Sequence, residues 1–77
     1  MSIEEKNRQD IVEEVKRRFP HHTVRYREED DSETLYVFVD DQNGRRVHTL
    51  PFTSNEWQDY PEHPSVVRAK IAKAFDT

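Results

Sequence analysis

Ile11, Val12, Val15 and Phe19 recur at helical spacing, while Glu13, Glu14, Lys16 and Arg17 occupy the other side of the same stretch. Upstream, Ser2 and Glu5 have the separation of a capping box, whose side chains satisfy the free backbone donors of a first turn. Pro20 ends the run, because the residue before a proline is pushed out of the α region. The spacing predicts a helix over residues 3–19. Beyond it the period drops to two. Val24 and Tyr26 alternate with Thr23, Arg25 and Arg27, which reads as a strand. After a polar turn over 28–32, residues 33–40 are the most strand-like of the chain. Leu35, Val37 and Val39 lie on one side of it, Tyr36 and Phe38 on the other. Apolar groups on both sides mark a central strand with a neighbour at each edge.

Asp41-Gln42-Asn43-Gly44 has Asp where a turn begins and Gly where a left-handed residue is needed. It leads into a third strand over 45–52, which Pro51 marks as an edge. Residues 53–63 are irregular, with one helical turn expected around 55–58 under a Thr53/Glu56 capping box. Trp57 and Tyr60 are expected to fold back as a lid on the core edge. Pro64 suits the first position of a last helix, whose apolar stripe is Val67, Ile71, Ala74 and Phe75. The order α-β-β-β-α predicts a single small α+β domain over residues 1–77. It has two layers, a three-stranded antiparallel meander and two helices packed on one face so that both stripes are buried.

This element order resembles, in topology, the double-stranded RNA-binding fold and the small toxin ribonucleases that reuse it. The RNA-binding family has a lysine-rich start to its second helix, where this chain reads Pro64-Ser65-Val66-Val67-Arg68. The toxin family presents Gly-Ser-His on an early strand; here His21-His22 precede the first strand with no Gly or Ser beside them. The resemblance therefore implies an arrangement of elements and carries over no functional residue, since a fold does not fix a function.

Register decides what the helix-free face of the sheet displays. A four-residue loop over 29–32 pairs Glu28 with Glu33, Tyr26 with Leu35 and Val24 with Val37 on the core side. Arg25 then faces Tyr36, and Thr23 faces Phe38, on the outer side. In the second hairpin, a type I turn with Gly44 as a bulge pairs Asp41 with Arg45. That sends Val47 and Thr49 to the core and sets Arg46, His48 and Leu50 beside Phe38 and Tyr36. A two-residue Asn43-Gly44 turn would shift the register by one and turn His48, Leu50 and Phe52 inward. The bulged form is preferred because it avoids burying His48. The outer face then presents Arg25, Arg27, Tyr36, Phe38, Arg46 and His48 as candidate binding residues.

Composition gives that face its interest. Leu, Ile, Val and Phe number 17 of 77 residues and 36% of the chain is charged, so the core is thin and a ring left outside it calls for a reason. Two aromatics flanked by three arginines can stack bases and hold phosphates, as sheet platforms for single-stranded nucleic acid do. The same patch can meet a protein partner or a second copy of itself, or the arginine stems can simply shield the rings. Sixteen acids against twelve bases give a net charge of −4, which argues against strong duplex binding. The expectation is a non-enzymatic interaction domain whose open sheet face contacts an unknown protein or forms a homodimer. The alternative is RNA or single-stranded nucleic acid held by this face and by Arg68, Lys70 and Lys73 of the last helix.

The remaining chemistry is sparse. With no cysteine, disulfides and thiolate zinc sites are excluded, and a reducing cytoplasm is expected. The charged N-terminus lacks the apolar stretch of a signal peptide, and no apolar run approaches the roughly 18 residues of a membrane span. No membrane partner is expected. His21 and His22 share a sheet end with Asp40 and Asp41, but nothing fixes four ligands, so neither a metal nor another cofactor is expected. The acids at 28–31 lie at the opposite end, so no carboxylate pair converges for acid–base work. The serines fall at caps or turns, the single Gly44 rules out a phosphate loop, and His63 beside Pro64 reads as capping or exposed. No catalytic residue is assigned.

Overall fold

Helix α1 spans Ile3–Arg18 and stops one residue short of the predicted end. Phe19 N–H still donates to the Val15 carbonyl at 3.0 Å, and His22 N–H then donates to Phe19 at 3.1 Å, closing a turn around Pro20. The computed structural model describes residues 3–60, 62 and 64–75; the Ser2–Glu5 capping box and the reading of His63 fall outside them. Strands β1 (Thr23–Glu29), β2 (Thr34–Asp40) and β3 (Arg46–Phe52) form one antiparallel sheet in the order β1-β2-β3. A short helix α2 (Ser54–Gln58) and a last helix α3 (Pro64–Phe75) complete the chain, with Pro64 opening α3 as its fixed φ favours.

Both long helices cover the same face of the sheet. The buried cluster takes Ile11 and Val15 from α1, Phe19 from just after it, Leu35, Val37 and Val39 from β2, and Leu50 and Phe52 from β3. Trp57, Tyr60, Val67 and Ile71 complete it. This is the two-layer α+β arrangement expected from the element order. Besides residues of β3, two expected core residues are mostly outside it. Tyr26 is on the helix side but at the sheet margin, 51% exposed; Phe75, at the end of α3, is 54% exposed, with its ring centroid 5.7 Å from that of Phe19.

The segment expected to act as a lid is a plug. Trp57 is fully buried and its indole Nε1–H donates to the Glu33 carbonyl at 2.7 Å. The Glu56 carboxylate reaches back to accept from the Thr53 N–H at 2.8 Å, as the capping-box spacing predicted. From α1, Asn7 is fully buried and donates through Nδ2 to the Gln58 carbonyl at 2.9 Å. Arg8 lies over the Trp57 ring at 5.4 Å and pairs with Glu28 at 3.1 Å. A buried tryptophan needs a partner for its N–H, and the carbonyl it finds belongs to the first hairpin.

That bond explains a correction to the first register. Glu33 has φ 53° and belongs to the loop, not to β2. Glu29 pairs with Thr34, Arg27 with Tyr36 and Arg25 with Phe38, two steps from the expected pairing. An even shift keeps every side chain on its expected face.

The second hairpin overturns a face assignment. Its turn is the bulged one: Gly44 has φ 85°, Gly44 N–H donates to Asp41 at 3.1 Å, and Asp41 N–H donates to Arg45 at 2.8 Å. Asp40 accordingly pairs with Arg46, yet Val39 pairs with His48, leaving Val47 unpaired as a second bulge. From there on the strand is flipped. His48, Leu50 and Phe52 point inward; Thr49 does not, and Val47 is 43% exposed. Burial of Leu50 and Phe52 is worth about 1.5–3 kcal/mol each, which outweighs the lost pairing. His48 costs little in exchange, because at the sheet end it stays partly exposed with its ring 5.3 Å from Phe19.

Two outcomes check this packing. Leu50→Ala should lower the unfolding free energy by about 2–4 kcal/mol, whereas Val47→Ala should stay within about 0.5 kcal/mol; the reverse ranking in urea melts would contradict the inward register. Burial pulls the Glu56 carboxyl upward, but hydrogen bonds from Lys70 and Thr53, with the Lys70 charge, together hold it below its ordinary 4.5. A lowered carboxyl stabilises the fold above its ordinary value, and that contribution is lost as pH falls through the lowered one. Glu56→Gln should therefore be less stable than the parent at neutral pH, with the gap closing on acidification. A gap constant with pH would count against it.

Candidate functional site

The sheet face away from the helices is laid out in rows by the two registers. Thr23, Asp40 and Arg46 form one row; Arg25, Phe38 and Thr49 the next; Arg27, Tyr36 and Pro51 the third. Alternation along β2 puts Tyr36 and Phe38 here because Leu35, Val37 and Val39 fill the core side. Their rings stand nearly parallel, 5° apart in plane with centroids 6.3 Å apart, close to the roughly 6.6 Å between alternate strand residues. Both rings are partly exposed.

Of the six candidate residues, five share this face: Arg25, Arg27, Tyr36, Phe38 and Arg46. His48 does not, for the Val47 bulge turns it to the helix side. Leu50, expected beside the rings, is buried on the core side for the same reason. Three residues that sequence reasoning did not place here belong to the face. Asp40 is buried although it lies on the helix-free side. Its carboxylate accepts from Arg46 Nε at 3.2 Å and lies 3.9 Å from Arg25 Nε. Glu29 and Thr49 join Arg27, Tyr36 and Phe38 around a shallow groove of about 300 Å³. The signal for all three was the register, which depends on Trp57 and Val47.

The clasp around Asp40 divides the face in two. Arg46 is drawn by Asp40 across the neighbouring ring, its guanidinium 4.0 Å from the Phe38 centroid, a cation–π contact that also shields one side of Phe38. Arg25 approaches the same carboxylate from the other strand, at 3.9 Å. The opposite half stays open, with Arg27 and Glu29 side by side and, among the described residues, neither in an ion pair. In all, three arginines face two carboxylates, so the face is close to neutral.

The other candidate features are engaged within the fold. Asp41 Oδ1 accepts from the Asn43 and Arg45 N–H groups, each at 2.9 Å, and so holds the turn beside His21 and His22. Among the described residues no group of three His, Asp or Glu is placed to hold a metal, and no helix is long and apolar enough to cross a membrane. Two of the three cations on α3 are tied down by acids from other elements, while Lys73 has no ion pair among the described residues. Arg68 pairs with Glu14 at 3.1 Å, and Lys70 with Glu56 at 2.9 Å. The stripe also lies in the helical layer, on the far side from the rings, so it cannot extend the sheet surface.

Comparison of the chain with protein-family models, curated proteins and solved structures gave no match.

Asp40→Asn tests the clasp. Arg46 and Arg25 are 49% and 69% exposed, so the expected loss is only about 1 kcal/mol, and it should shrink at high salt. Equal urea midpoints for the two proteins at low salt would show that Asp40 holds nothing.

Proposed function

We propose that this chain is a small, non-enzymatic interaction domain whose helix-free sheet face is a contact surface for protein. The observation that carries this reading is the half-open aromatic pair. In a chain with so few core-forming residues, Tyr36 and Phe38 stand outside the core, in a groove with Arg27, Glu29 and Thr49. An apolar centre with a polar, hydrogen-bonding rim suits a protein interface. The absence of cysteine fits work in a reducing compartment such as the cytoplasm.

Nucleic acid is the weaker reading. Affinity for a phosphate backbone comes from cations free to displace counterions. Here Arg25 and Arg46 are spent on Asp40, Glu29 adds a carboxylate beside the groove, and the paired α3 cations face the other way.

A photo-reactive amino acid at Thr49, in cells expressing the chain, tests the choice. Protein adducts resistant to nuclease are expected there and not from a control at Lys73. No adduct, or adducts removed by nuclease, would overturn the proposal. In parallel, fluorescence anisotropy at low salt should detect no saturable binding of single-stranded RNA or DNA.

A further inference from the structure

We infer that Asn43 is a site of spontaneous covalent modification, converted through a ring with the Gly44 backbone nitrogen into aspartyl and isoaspartyl forms. Asparagine stands at positions 7, 43 and 55, and one of the three is placed for this chemistry. Asn7 is fully buried in α1, with its Nδ2 donating to the Gln58 carbonyl. Asn55 lies in α2, where the N–H of the following Glu56 donates to the Thr53 carbonyl at 2.9 Å. Asn43 is exposed at the tip of the second hairpin and precedes the single glycine of the chain. Gly44 has no side chain to crowd the approach of its nitrogen to the neighbouring amide. Its surroundings are open as well, since a Cβ there would meet no atom within 4 Å.

The conversion needs water and nothing else. The Gly44 nitrogen gives its proton to solvent and bonds to Asn43 Cγ. The Cγ–Nδ2 bond breaks, and Nδ2 takes a proton from solvent and leaves as ammonia. One water then opens the five-membered imide. Cleavage at Cγ restores the ordinary backbone with an aspartyl side chain. Cleavage at the backbone carbonyl carbon leaves the chain running through Cβ and Cγ, an isoaspartyl link. Either product carries one more negative charge than the parent. Water reaches the amide through a hollow of about 240 Å³ lined by His21, His22, Asp41, Gln42 and Asn43. One contact restrains the attacking nitrogen, its N–H donating to the Asp41 carbonyl at 3.1 Å. That bond closes an exposed turn and breaks by local opening, without unfolding of the sheet.

The isoaspartyl form lengthens the backbone where the turn fixes the register. Asp41 Oδ1 accepts from the Asn43 and Arg45 N–H groups, each at 2.9 Å, and Asp41 N–H donates to the Arg45 carbonyl at 2.8 Å. These bonds set Arg46 opposite Asp40, from where it covers Phe38. An additional carbon in the backbone of residue 43 breaks this closure, so the isoaspartyl form loosens the clasp and uncovers more of the Phe38 ring. Chemical ageing of one turn thus alters the aromatic face.

Peptide mapping by mass spectrometry follows the purified chain at mildly alkaline pH, beside a sample unfolded in urea. The mass change of NH₂ replaced by OH should arise at residue 43 and at neither other asparagine. Its rate should lie within about tenfold of the unfolded sample and be little changed by urea below the unfolding transition. Asn43→Gln, which cannot close a five-membered ring, should show no change at this residue in the same time. A folded chain left unmodified once the unfolded one has converted, or a rate that rises in step with the unfolded fraction, would overturn the site. Ion exchange separates the products by their added charge. The isoaspartyl form should unfold at lower urea than the Asn43→Asp variant, which adds the charge without lengthening the backbone. Equal midpoints would overturn the loosened register.

Discussion

Strict alternation along β3 cannot set Arg46 beside Asp40 on one face and put Leu50 and Phe52 under the helices on the other. All four residues from Arg46 to Phe52 with even numbers would share a side. The unpaired Val47 breaks that parity, and both faces of the sheet depend on it. On the inner side the core gains its Leu50–Phe52 pair, which a chain with 17 core-forming residues can hardly forgo. On the outer side Arg46 closes over Phe38 and leaves the other half of the aromatic pair open. The exposed patch and the filled core thus have one origin.

A second dependence runs through Trp57. Its indole reaches 24 residues back to the Glu33 carbonyl, fixing the point at which the first hairpin turns. Asn7 and Arg8 bring α1 to the same place, and Gln58 Nε2 donates to the Glu33 carboxylate at 3.3 Å. The five-residue α2 is too short to be stable alone. It persists because its one large apolar side chain is surrounded and its backbone is used by neighbours.

What could be read from the chain was what local rules determine. The helix ending before Pro20, the Asp41–Gly44 turn with its left-handed glycine, the Thr53/Glu56 cap and the start of α3 at Pro64 each follow from a few adjacent residues. Tyr36 and Phe38 were placed outward by alternation alone. His48 was misplaced because the rule that sent it outward, avoiding a buried imidazole, weighed less than burying Leu50 and Phe52, and because a site at the sheet end buries it only in part. The clasp on Asp40 escaped notice because nothing near it in sequence reveals that Arg25 and Arg46 converge there. The pairing of Arg68 and Lys70 is equally invisible along α3, since Glu14 and Glu56 come from other elements.

Val47 also bears on how the sheet meets the outside along its margins. An open strand edge is a template on which another strand can grow, and proteins blunt such edges with bulges, prolines and charge. On β3 the bulge bends the ladder, Pro51 has no N–H to offer, and its carbonyl is taken by Lys70 Nζ at 2.6 Å. On β1 the margin is crowded with Arg25, Arg27, Glu28 and Glu29. Neither edge invites the runaway strand addition that leads to fibrils. The residue that shapes the flat of the sheet is thus also a guard on its rim.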